Sequence, residues 1–186
     1  MQTQFRRKSR VPPPGRPTAV SPSPRVLEER ELAGLLSAMR GTARLMGCLL
    51  YGAGLSLREC VSLRVRDVDA GRVCIRVRGA AGNPPRETPI PAAVLPDLLE
   101  QMKFVRLLAR QDGGAVRDGP GADALYLFPA CHRPPRTLDG MRVRPHMEVS
   151  ALASALRDAG IRTGIGTASL FRTRRGGASS ALFPPV

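Results

Sequence analysis

Residues 51 to 69 read YGAGLSLRECVSLRVRDVD and carry three cations, Arg58, Arg64 and Arg66, beside the acids Glu59, Asp67 and Asp69. A planar guanidinium grips a phosphate through two parallel N–H donors, so arginines repeated along a short stretch point to polyanion binding. Further on, GRVCIRVRG sets Arg72, Cys74, Arg76 and Arg78 against Val73, Ile75 and Val77. That alternation predicts a half-buried strand with one basic face. The basic face is either the wet side of a strand or a set of phosphate contacts. Glu59 and Asp67 are expected to orient neighbouring arginines through ion pairs rather than to act as acids or bases. His132 and His146 lie in basic loops, where a lone histidine is most simply solvated. Tyr51 is expected to pack its ring in the core, and Tyr126, within LYLF, to sit in a buried strand. Cys48, Cys60, Cys74 and Cys131 form no CxxC pair and have no histidine at ligand spacing, which argues against zinc. They read as reduced core thiols.

Those residues need elements to place them. LEERELAGLLSAM puts Leu32, Leu35, Leu36 and Met39 on one face of a helix, with acids in the first turn where the helix dipole favours them. A second helix is predicted from about residue 42 to 51, closed by Gly52 and Gly54, and a third through LRECVSLRVRDV with Val61, Val65 and Val68 as a partial apolar stripe. RETPIPAAV is the hairpin partner of the basic strand, across a GAAGNPP turn. A helix over roughly 92 to 110, a loop DGGAVRDGPGAD, a short strand ALYLF, a loop CHRPPRTLDGMRVRPH and a helix MEVSALASALRDAGI ended by Gly160 follow. The fold class expected is mainly α with a small antiparallel β-hairpin or sheet.

The chain has 186 residues, with 29 Lys and Arg against 15 Asp and Glu, for a formal net charge of +14. Lys8 and Lys103 are its only lysines. Such an arginine excess favours nucleic acid as a partner, although GC-rich coding raises arginine too. Residues 1–25, rich in Pro, Ser and Arg, cannot bury enough apolar surface to offset chain entropy and are expected to be a disordered basic linker or arm. Residues 26–186 form the domain. No apolar run approaches the ~20 residues of a membrane span, and the N-terminus lacks the apolar centre of a secretory signal, so a cytoplasmic protein without membrane contact is expected.

Residues 51 to 69 resemble the first conserved box of the tyrosine site-specific recombinases, the phage integrase family, and among them the integron integrases. In that box Tyr51, Gly52, Gly54, Glu59, Leu63, Arg64, Asp67, Val68 and Asp69 fall in register. Arg86 and Pro89 align with the family's second hairpin strand, RPHMEVSALASALRDAGI is similar to the segment before the second box, and RTRRGGASSAL takes the place of the second box itself. The resemblance implies a catalytic-domain-like fold, incomplete at the C-terminus, and double-stranded DNA as partner. The family's reaction is cleavage and rejoining of DNA through a 3′-phosphotyrosyl intermediate without a cofactor. In it a tyrosine attacks, arginines and a histidine neutralise the phosphoryl oxygens, and a lysine protonates the leaving oxygen.

Carried over residue by residue, most of that set is replaced. The first catalytic arginine falls on Ser56, and the nearest arginine, Arg58, lies two positions on, about 200° round a helix if both are helical. The lysine falls on Ala81, the leading histidine on Arg172, the second arginine on Arg175 and the following histidine on Gly176. Another register pairs Arg172 with the family arginine and Ser169 with the histidine; Arg175 is preferred because Thr173 and Leu182 then also agree. Arg175 is thus the one catalytic match, and no tyrosine stands at the nucleophile position. The expectation is a truncated, degenerate integron integrase-like chain that is inactive as a recombinase and keeps DNA binding through Arg58, Arg64, Arg66, Arg78, Arg86, Arg172 and Arg174. The family's tetrameric assembly on DNA is not carried over. The alternatives are a non-specific basic DNA-binding protein and a non-functional pseudogene product, the latter prompted by the Arg-, Gly- and Ala-rich text after Gly160, which is what an out-of-frame GC-rich gene produces.

Overall fold

The computed structural model describes residues 27–79, 84–112, 125–132 and 144–166. The basic arm, most of the GAAGNPP turn with Ala81, most of the two long loops, and the tail with Arg172, Arg174, Arg175 and Gly176 lie outside the described residues.

The first two helices follow the apolar pattern. Helix α1 (Glu29–Ala38) buries Leu32, Leu35 and Leu36, and the Glu31 carboxylate accepts the Glu28 N–H at 2.9 Å to close its first turn. Helix α2 (Gly41–Gly52) buries Leu45 through Gly52 without a break and is the centre of the core. The two helices approach closely at Gly47, where a Cβ would stand 2.9 Å from Met39 Sδ and 3.0 Å from Leu36 Cδ2. Past α2 the chain turns through Gly54 at φ +64°, a left-handed conformation that glycine adopts without steric cost.

The third helix is shorter than the sequence pattern predicts. Helix α3 (Leu57–Ser62) stops after six residues, and Val65–Asp67 form a separate 3-10 turn before strand β1 (Val68–Asp69). A long-range pairing takes the backbone away. Leu63 at ψ 140° leaves the helical region and Arg64 is extended, the Leu63 carbonyl accepts from Leu127 N–H at 2.8 Å, and Val65 N–H donates to the Leu125 carbonyl at 3.0 Å. Over Leu125–Pro129 the chain correspondingly makes single bridges rather than a ladder strand: Tyr126 pairs with Arg64, and Pro129 with His146.

The sheet is three antiparallel strands in the order β1, β2 (Cys74–Val77), β3 (Arg86–Pro89). Ile75 stands opposite Val68 and Thr88, and Val77 opposite Arg86. Ile75 and Val77 point inward as the alternation requires. Cys74, expected on the basic face, is buried at the strand's start, whereas Arg76 faces solvent. Arg72 and Arg76 form ion pairs with Glu87, and Arg76 also with Asp69. Among the cysteines, Cys48, Cys60 and Cys74 are buried as predicted but Cys131 is exposed. Burial pushes the Cys48 thiol up to about 11 and the Cys60 thiol further still, which keeps both in the thiol form.

Helix α4 (Leu95–Gln111) follows a 3-10 turn at Ala92–Val94, carries Pro96 in its first turn where no N–H is needed, and buries Leu98, Met102, Val105 and Ala109. Helix α5 (Val149–Thr163) packs on α1 and buries Leu152, Leu156 and Ala159. It runs through Gly160 and ends at Gly164, φ +73°, because Gly160 is itself buried in the packed face. Among the described residues no helix is long and apolar enough to cross a membrane. The architecture is mainly helical with a small antiparallel sheet, as the sequence implied.

Candidate nucleic-acid interface

Helix α3, the Leu63–Asp67 turn, the end of β2 and the Tyr126 and His146 segments enclose a cleft of about 520 Å³. Its charged lining is Arg58, Glu59, Arg64, Asp67 and Arg78, with His146 beside them.

The α3 start is a local construction. Ser56 is the N-cap: its hydroxyl accepts the Glu59 N–H at 3.3 Å, and Glu59 Oε2 accepts the Ser56 N–H at 2.7 Å. The sequence Ser-x-x-Glu is the capping-box pattern, which reciprocally satisfies two N–H groups of a helix start. The position matched to the family's first arginine therefore starts a helix. Because Ser56 stands outside the helical turns, the 200° separation from Arg58 does not apply, and both residues line the same cleft.

Each carboxylate in the cleft is already neutralised. Arg86 clamps Glu59 through Nη1–Oε1 at 2.5 Å and Nη2–Oε2 at 3.0 Å, and its Nη2 also reaches the Gly54 carbonyl at 3.3 Å. The Arg86 guanidinium, helped by the Ser56 bonds and opposed by burial, holds the Glu59 carboxyl at about 2, well below its ordinary value. Asp67, 6% exposed, takes the Arg78 guanidinium at 2.7 and 2.8 Å and the Arg64 backbone N–H at 2.8 Å. The ion pairs expected of Glu59 and Asp67 are thus both present.

Arg64 is treated differently. Its guanidinium carbon lies 4.8 Å from the centroid of the Tyr126 ring, with a long Nη2 contact of 3.4 Å to the hydroxyl. Its Nε is buried without a hydrogen-bond partner among the described residues. Tyr126 meets the His146 ring edge-on, centroids 5.2 Å apart and planes at 80°. His146 Nδ1 lies 2.8 Å from the Met147 carbonyl, which only accepts, so that nitrogen carries the proton. Tyr126 is therefore part of the cleft wall rather than of the core, and His146 packs against it rather than standing free in a loop. No sequence signal placed either there, because both arrive through the bridges at Arg64 and Pro129.

Of the arginines named from the sequence, the fold brings Arg58, Arg64 and Arg78 to the cleft and sets Arg86 behind Glu59. Arg66 is exposed and outside the lining. Tyr51 is buried at 5% exposure, and burial pushes its hydroxyl far up, so its ring serves the core. A larger cavity of about 750 Å³ lies between α1, α2 and α4, but Arg40 and Arg44 share its lining with Asp97 and Glu100, a mixed lining that does not favour a polyanion. Among the described residues, no cluster of three or more His, Cys, Asp or Glu is placed to hold a metal ion.

No family model matches the chain. In sequence it is 34% identical over 105 residues to an integrase/recombinase of Escherichia coli, a match to 56% of this chain and 31% of that protein. It is 43% identical over 84 residues to the tyrosine recombinase XerA of Thermococcus onnurineus, covering 43% of this chain and 30% of that protein. The chain thus matches about a third of the length of these relatives. Its structure resembles the crystal structure of XerA recombinase with a TM-score of 0.54 at 22% identity, over 92% of this chain and 50% of that one, which shows a shared fold. The chain is thus similar in sequence to part of proteins named integrase/recombinase and tyrosine recombinase, and it shares the fold of XerA recombinase.

Proposed function

We propose that this chain is of integron integrase type and acts in the cytoplasm as a duplex-DNA-binding element that holds the DNA backbone without cutting it. The observation that carries the reading is the cleft's charge. Glu59 and Asp67 are occupied by Arg86 and Arg78, so Arg58 and Arg64 face the cleft with no carboxylate partner among the described residues. A polyanion is the ligand class such a surface attracts.

The inactive half of the proposal rests on Ser56 and the tyrosines. Ser56 spends its hydroxyl on the cap and supplies no positive charge where the family places one. Loss of one such charge-stabilising donor typically costs a factor of about 10²–10³ in rate. Tyr51 is buried, and the Tyr126 hydroxyl stands 3.4 Å from the Arg64 guanidinium, which has no other side-chain hydrogen bond among the described residues.

The test is a titration of a labelled random-sequence duplex with the 186-residue chain at several salt concentrations. Binding should weaken steeply, with log K falling by about 0.9 per log unit of salt for each phosphate contacted. A flat salt response sinks the DNA reading. A nicked suicide duplex should leave no covalent protein–DNA adduct, and an adduct refutes inactivity.

A further inference from the structure

We propose that Arg64 is the residue of this cleft that grips a single DNA phosphodiester, and that Tyr126 is the positioning residue that holds its guanidinium ready; the assignment rests on the DNA-binding reading above. Contrast with Arg144 shows why. Arg144 serves the fold: it pairs with Asp112 at 2.6 and 3.1 Å and donates to the carbonyls of Ala130, Cys131 and His132. Among the described residues nothing comparable surrounds the Arg64 side chain.

The neighbourhood of Arg64 is built to hold its backbone while leaving its charge uncompensated. Asp67, which could have neutralised it, instead binds the Arg64 N–H and the Arg78 side chain. The peptide on either side is tied to the Leu125–Leu127 segment at 2.8 and 3.0 Å. The guanidinium lies over the Tyr126 ring, and His146, anchored through Nδ1, braces that ring edge-on. An aromatic platform orients a guanidinium without consuming its charge or most of its donors, so little freedom remains to be lost when a phosphate arrives.

The test compares duplex affinity and salt slope for the whole chain and five variants. Arg64→Met should lower the salt slope by about one and the affinity by about tenfold at moderate salt, whereas Arg110→Met, exposed on α4 and outside the cleft, should change affinity by less than about twofold. Tyr126→Phe keeps the ring and should bind as the parent does. Tyr126→Leu should lose about threefold to fivefold with its melting transition retained. Arg64→Lys, which keeps the charge but loses the planar fork, should fall between the parent and Arg64→Met, and it stands in if Arg64→Met does not fold. Steep salt dependence that survives Arg64→Met, or an equal loss in Tyr126→Phe and Tyr126→Leu, overturns the assignment while leaving the DNA reading intact. If the parent chain fails to bind duplex, that reading falls; the Tyr126 ring resonances are then followed by NMR against inorganic phosphate, where a saturable shift retains the anion grip and an unchanged spectrum overturns it.

Discussion

Asp67→Ala tests the reasoning about the cleft most directly, because one carboxylate there holds both the turn and a side-chain pair. The carboxylate is 6% exposed and accepts the Arg64 N–H at 2.8 Å at the start of the 3-10 turn. Hydrogen bonds to charged groups contribute about 1.5–3 kcal/mol. The pair with Arg78 is worth less, about 0.5–1 kcal/mol, because the guanidinium side chain is 44% exposed and screened by water. Asp67→Ala should therefore destabilise the chain by about 2–4 kcal/mol, whereas Arg78→Met, which leaves the turn intact, should cost only about 1 kcal/mol. Urea unfolding at pH 7, followed by far-ultraviolet circular dichroism, measures both, provided the urea dependence of the unfolding free energy is unchanged between variants. Equal losses in the two variants, or a loss under about 1 kcal/mol in Asp67→Ala, would show that the turn does not depend on this carboxylate.

Glu59 gives a pH test of the neighbouring pair. Its carboxyl titrates near 2 when folded and at its ordinary value of 4.5 when unfolded, so its stabilisation is fully present above pH 4.5 and is lost as the pH falls toward 2. After allowance for solvent screening the effect is about 1 kcal/mol; urea midpoints of Glu59→Gln should be flatter than the parent's over that window, and parallel curves would refute the pairing. Leu156→Ala removes a fully buried side chain of α5 and should cost about 2–5 kcal/mol in the same unfolding assay. Gly164→Ala forces a side chain into φ +73° with open space around it, so the expected loss of about 1 kcal/mol is conformational alone, and a neutral result in a thermal melt would show that the helix end rearranges freely.

Local pattern accounts for much of the fold. Leu32, Leu35 and Leu36 recur at helical spacing and are the buried face of α1, and Ile75 and Val77 alternate with Arg76 in β2 as a half-buried strand requires. Ser56 and Glu59 stand at capping-box spacing, a start signal legible in four residues. Such features depend on neighbours along the chain, so the sequence alone determines them. Arg64 and Tyr126, 62 residues apart, and Glu59 and Arg86, 27 apart, meet only after the chain has folded. The same long-range pairing ends α3 at Ser62, where the apolar stripe of Val61, Val65 and Val68 predicted a continuing helix, because backbone bonds to Leu125 and Leu127 replace the helical ones. Sequence therefore determined that the chain carries a basic, arginine-rich surface on a mainly helical scaffold. Only the tertiary structure decided which arginines are neutralised and which are not, because each carboxylate can serve only the cations that folding brings within hydrogen-bond reach.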